Sequence, residues 1–113
     1  MTDRELLELA AKAAGYVVRW YDDTLTHGPT FGIEVEPGNP CGFEPWNPLT
    51  DDGDALRLAV KLEMQLRLRH RENEVSVYGA PDGRVDEGAC SDPCAATRRA
   101  IVRAAAEIGR VMP

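Results

Sequence analysis

The amino-acid sequence predicts an α+β fold, with three helices packed on a small, largely antiparallel sheet in the order αββ–αββ(β)α. Three observations carry this. Apolar residues recur at helical spacing over residues 3–14, within 50–62 and from 93 onward. Between them, "FGIEVE" (31–36), "QLRLRHR" (65–71) and "EVSVYG" (74–79) alternate apolar and polar residues as half-buried strands do. The 113 residues are the length of one domain, 1–113, and 43% apolar with 28% charged residues is a globular composition. Two arrangements satisfy the pattern: one sheet with every helix on one face, or an α/β/α sandwich with helices on both.

The first helix is expected over 3–14. Thr2 and Glu5 have capping-box spacing, Leu6, Leu9, Ala10 and Ala13 form an apolar stripe, and Gly15 follows the end. "YVVRWYD" (16–22) is β-branched and aromatic and reads as a strand, joined by the loop "DDTLTHGPT" to the strand at 31–36. "PGNPCGFEPWNP" (37–48) holds four prolines and two glycines, which predicts an ordered crossing over the surface rather than a sheet core. Phe43 and Trp46 are expected to pin this crossing to the core; exposed, they would mark a recognition surface.

The second helix begins inside "TDDGDALRLAVKL" (50–62). Its predicted apolar stripe is Leu56, Ala59 and either Leu62 or Val60, with Arg57, Lys61 and Glu63 in water. The alternating runs around "RENE" predict a hairpin with one buried face. "PDGR" (81–84) is a turn signal, and "RVDEG" adds a short edge strand. In the last helix Asp92 caps, Pro93 takes the first helical position, and Ala96, Ile101, Ala104, Ala105 and Ile108 face inward.

A net charge of −6 argues against general nucleic-acid binding. The charge is uneven: residues 1–55 carry 11 of the 19 acids but 3 of the 13 bases. That split predicts a polarised surface, and an acidic N-terminal half is what a nucleic-acid mimic would need. No run is apolar enough for a membrane span, and the N-terminus lacks a basic export signal, so a cytoplasmic protein is expected. Three cysteines, Cys41, Cys90 and Cys94, are then expected as reduced thiols.

Several candidate sites have a plainer structural explanation. "DDGD" (51–54) could hold a cation through its carboxylates, but it lacks the alternating acids and distal Glu of a calcium loop. Acids at a helix start are favoured by the helix dipole, so a cap is expected, and the same acids exclude a phosphate cradle. Cys41, Cys90 and Cys94 with His27 or His70 make a valid zinc set, though only one pair has short spacing. No Walker, Rossmann or G-x-S-x-G signature accompanies the two histidines, so neither an enzyme nor a cofactor is expected. The arginines stand out. Arg67, Arg69 and Arg71 share one hairpin face, and Arg98, Arg99, Arg103 and Arg110 lie along the last helix. They are either solvated faces that salt-bridge to nearby acids or a docking patch for an acidic partner. The residues expected to carry binding are Phe43, Trp46, Arg67, Arg69, Arg99 and Arg103.

The C-terminal αβββα order resembles double-stranded RNA-binding domains, but their basic phosphate-binding segment has no counterpart in the acidic "DEGACSDPCAAT" (86–97). Three other blocks, "TDRELLELAAKAAG" (2–15), "WNPLTDDGDALRLAVKL" (46–62) and "TRRAIVRAAAEIG" (97–109), resemble a family of small phage and prophage proteins with an α/β/α-sandwich domain. In that family a Trp-Asn-Pro segment precedes D-A-L-x-L, and an R-A-I-V-x-A-A helix closes the chain. The resemblance implies a phage-encoded accessory protein in a bacterial host cell. It brings no catalytic residues. The resemblance is nearly silent on activity; the expected partner is a host or phage protein, such as a component of a host defence system whose basic channel an acidic protein would occupy. A self-assembling phage component, as a homodimer for instance, is the alternative, and a zinc protein a more distant one. Residues 24–45 have no counterpart in that pattern, and a specialised role is expected there.

Overall fold

A computed structural model of the chain describes residues 2–23, 28–34, 43–80, 83–88 and 91–113. The first helix, α1 (Asp3–Ala14), has the predicted limits. Its start is fixed by the Thr2 hydroxyl, which accepts the Glu5 N–H at 3.2 Å. Its end is fixed by Gly15 at φ 77°, which turns the chain so that the Tyr16 N–H reaches the Ala11 carbonyl at 2.9 Å.

The strands confirm the α+β class but divide into two sheets instead of one. The first holds β1 (Val18–Asp23), β2 (Gly28–Glu34) and β3 (Phe43–Pro45), antiparallel and in that spatial order. Val18 lies opposite Ile33, and both pack against the core. Strand β3 falls inside the Pro-rich crossing, where no strand was expected. Proline cannot donate to a ladder, yet β3 is an edge strand, and Pro45 opposite Gly32 is tolerated there. Residues 35–42, including Cys41, lie outside the described residues, as do His27 and Cys90.

The second sheet is the predicted hairpin with its added strand: β4 (Gln65–Arg69), β5 (Glu74–Ala80) and β6 (Gly83–Gly88), joined between β4 and β5 by a single 3₁₀ turn, His70–Glu72. Asn73 completes that connection at φ 56°, a left-handed conformation that asparagine tolerates better than most residues. Leu66, Val77 and Val85 stand opposite one another across the three strands and face the core.

Helix α3 (Pro93–Val111) is the centre of the molecule, packed against α1, helix α2 (Asp52–Lys61), β5 and β6. Its buried set, Ala100, Ile101, Val102, Ala104, Ala105, Ala106 and Gly109, adds four residues to the predicted stripe, because neighbours cover the helix on more than one side, whereas Ala96 and Ile108 of that stripe are only half-buried. The small residues let those neighbours approach. Helices α1 and α3 run in the same direction: Asp3 meets Arg99, Leu9 meets Gly109, and the Lys12 ammonium donates to the Met112 carbonyl at 3.1 Å.

On α2 the predicted stripe is displaced. Ala55, Leu58 and Ala59 are buried with Leu62 packed beside them, whereas Leu56 is 58% and Val60 68% exposed. Two apolar stripes at helical spacing overlap on this helix, and the sequence cannot rank them. The corner before the helix decides. Trp46 and Pro48 are buried there, with Trp46 edge-on to Tyr16 at 5.6 Å between ring centres. That anchoring sets the rotation of α2 and turns Leu58 inward. Among the described residues no helix is long and apolar enough to cross a membrane.

Candidate functional site

The segment "WNPLTDDGD" is a structural corner in which each carboxylate has a partner. Asp51 caps α2 by accepting the Asp54 N–H at 2.8 Å. Asp54 in turn accepts the Asn47 N–H at 3.0 Å and an Arg57 N–H at 2.7 Å. Asp52 pairs with Arg98 at 2.6 Å, and the same guanidinium donates from Nε to the Leu49 carbonyl at 2.9 Å. Arg98 therefore fastens the corner to α3. Asp52, drawn to a cation, and Asp51 and Asp54, used on backbone N–H groups, do not converge on one point. Among the described residues no three His, Cys, Asp or Glu side chains are grouped to hold a metal.

Among the described residues, part of the expected charge polarity is consumed in such pairs. Asp3 and Asp52 of the acidic half bind Arg99 and Arg98 of the basic half, and Arg4 binds Glu8 within α1. Arg103 donates to Glu87 at 2.7 Å and to the Asp86 carbonyl at 3.1 Å, while Arg99 lies 3.8 Å from Glu87. These arginines clasp α3 to α1 and β6. Arg99 and Arg103 thus sit around Glu87, on the core side of the sheet. Arg69 pairs with Glu72 at 2.6 Å. Trp46, at 3% exposure, pins the crossing and presents no recognition surface. Phe43 contributes backbone to β3 opposite Glu34; its side chain lies outside the described residues, as does that of His70.

The other face of β4–β5–β6 is different. Alternation places Arg67, Arg69, Glu74, Ser76, Tyr78, Arg84 and Asp86 together there. Arg67 stands opposite Ser76, and Ser76 opposite Asp86; Tyr78 on the central strand stands opposite Arg84. Ser76 is only 1% exposed, its hydroxyl donating to Asp86 at 2.7 Å with Glu74 at 3.2 Å. Arg84 holds the second Asp86 oxygen at 3.1 Å. Hydrogen bonds from Arg84, then from Arg67, hold the Tyr78 phenol below its ordinary pKa, because both guanidiniums favour the phenolate. Tyr78 and Arg84 are not among the residues that the sequence marks for binding. Parity along each strand puts them on the wet face, but only the register between strands brings them to Arg67.

A cleft of about 550 Å³ lies at the end of this sheet, lined by Leu68, Arg69, Arg71, Glu72, Pro93, Cys94 and Thr97. Cys94 is a free, exposed thiol in the first turn of α3. The helix start behind it is already closed by Asp92, which accepts the Ala95 N–H at 3.0 Å. The cleft therefore combines Arg69 and Arg71 with one acid, Glu72, which pairs with Arg69, and the N–H groups of the helix start are met by the helix's own cap.

Comparison with protein-family models, with curated proteins and with solved structures finds no match to this chain.

Proposed function

We propose that the chain is a phage- or prophage-type accessory protein that acts by binding a host or phage protein, and not by catalysis, in the cytoplasm of a bacterial host. The phage assignment rests on the three sequence blocks at 2–15, 46–62 and 97–109. The observation that carries the binding reading is the exposed face of β4–β5–β6, where Arg67, Tyr78 and Arg84 meet. Arginine and tyrosine are the residue types that protein interfaces concentrate, and a cationic patch on an acidic protein selects an acidic surface of its partner. Asp3, Glu8, Asp51, Asp52 and Asp54 are tied to arginines, which weakens the nucleic-acid-mimic form of a defence inhibitor; the sheet face favours a contact in which this chain supplies the cations.

The test is capture of partners from the bacterial host by the tagged chain and by its Arg67→Glu/Arg84→Glu variant. A host or phage protein held by the parent at low salt, and lost both at high salt and in the variant, supports docking through this face. Equal recovery by both proteins places the contact elsewhere. A second reading, self-association, is favoured by Leu56 and Val60, exposed one turn apart on α2. It requires a mass that rises with concentration and falls to the monomer in Val60→Asp.

A further inference from the structure

We infer that Arg67, Tyr78 and Arg84 form a binding site for one phosphate monoester carried on a side chain of the protein partner, an inference that rests on the docking face proposed above. The geometry begins with the sheet. Arg84 lies directly across from Tyr78 on β6, and Arg67 lies diagonally across on β4, its direct partner being Ser76. Strands sit about 4.8 Å apart, so the two arginine stems rise on either side of the tyrosine. Both guanidiniums lie near enough to the phenol to lower its pKa.

Two cations thus stand on either side of one phenol. Asp86 offsets one of them, through Nε of Arg84 at 3.1 Å, and is itself tied to the buried Ser76 hydroxyl. Arg67 has no carboxylate within ion-pair distance among the described residues.

The donors select the anion. Two planar guanidinium forks and one phenol hydroxyl supply three donor groups, matching the three terminal oxygens of a phosphate monoester, whereas a carboxylate offers two. A monoester carries close to two negative charges at neutral pH, which suits two guanidiniums. A nucleic-acid backbone is a weaker candidate. Its diesters expose two free oxygens each, and a polyanion approaching a protein of net charge −6 is repelled over its whole length. A single phosphorylated side chain meets mainly the local field of the clamp.

The experiment titrates phenyl phosphate into the full chain, following binding by calorimetry and the ionisation of Tyr78 by phenolate absorbance. Binding should draw the guanidiniums off the phenol and move its ionisation back up toward that of an ordinary tyrosine. Arg67→Ala and Arg84→Ala should each weaken binding by about tenfold or more. Tyr78→Phe should abolish the spectroscopic signal, which assigns it to this phenol, and weaken binding by the one donor it removes, less than either arginine variant. Arg110→Ala, which removes an equal charge far from the sheet face, should leave binding unchanged. The inference is overturned if phenyl phosphate at about 10 mM produces neither heat nor a Tyr78 shift. It is also overturned if Arg110→Ala weakens binding as much as Arg67→Ala, or if an oligothymidylate binds more tightly than phenyl phosphate. Should phenyl phosphate fail while Arg67→Glu/Arg84→Glu still loses a captured partner, the docking face stands and the phosphate specificity falls.

Discussion

Gly109 on α3 lies directly against the backbone of Leu9 on α1: a Cβ built on Gly109 would overlap the Leu9 carbonyl oxygen and come within 2.9 Å of its carbon. Backbone, not a flexible side chain, blocks the space, so neither helix can yield locally. Gly109→Ala gains roughly 1 kcal/mol of helix propensity. Overpacking of a rigid contact costs about 1–3 kcal/mol or more. The variant is expected to be less stable, seen as a lower urea midpoint with an unchanged denaturant slope.

Leu58 and Leu56 test the rotation of α2. Leu58 is fully buried and Leu56 mostly exposed, although both fit an apolar stripe. Leu58→Ala should cost about 2–5 kcal/mol, while Leu56→Ala should stay within about 0.5 kcal/mol of the parent. Equal losses in urea unfolding would mean that the helix is rotated from the orientation described.

Arg98 is the tie between the 46–54 corner and α3. Its side chain is 17% exposed and serves both Asp52 and the Leu49 carbonyl. Arg98→Lys keeps the charge but cannot present two N–H groups in a fixed fork, so most of the loss should persist. We expect Arg98→Ala to cost about 1–3 kcal/mol, against about 0.5 kcal/mol for Arg110→Ala, whose pair with Glu107 is exposed. Thermal unfolding of the three variants separates these values.

Glu63 ends α2 where a glycine would be expected. It sits at φ 53°, with its N–H on the Val60 carbonyl and the next N–H, of Met64, on Ala59. This is the same helix-ending geometry that Gly15 provides for α1, adopted by a residue with a Cβ. Glu63→Gly should therefore raise stability, by about 0.5–1 kcal/mol, and a lower melting temperature would contradict the assigned turn.

Tyr78 should ionise before an ordinary tyrosine, whose pKa is about 10, because Arg84 and Arg67 hold its phenol oxygen. The folded pKa is the lower one. The stabilisation is thus fully present above the unfolded value and is lost as pH falls through the folded value, so between the two stability rises with pH. Phenolate absorbance against pH should show an early component that vanishes in Tyr78→Phe. In Arg84→Ala that component should move up toward the ordinary range.

Local chemistry made much of this protein legible before any tertiary contact was known. Thr2, Gly15, Asp51, Asp92 and Pro93 mark helix ends because capping uses the residue itself and its near neighbours. The alternation in 65–79 marks a hairpin because side-chain direction in a strand has period two. The expected roles of Trp46 as an anchor and of "DDGD" as a helix start follow from the same short range. Longer-range facts were not legible. Leu56 and Leu58 differ only by which face of α2 the Trp46 corner turns inward. Arg99 and Arg103 are spent on Asp3 and Glu87, residues distant in sequence. Tyr78 and Arg84 join Arg67 only through the register of three strands. Periodicity is a property of one element, whereas the choice of partner depends on how elements are rotated and aligned against one another, and that is set by the packing of the whole chain around α3.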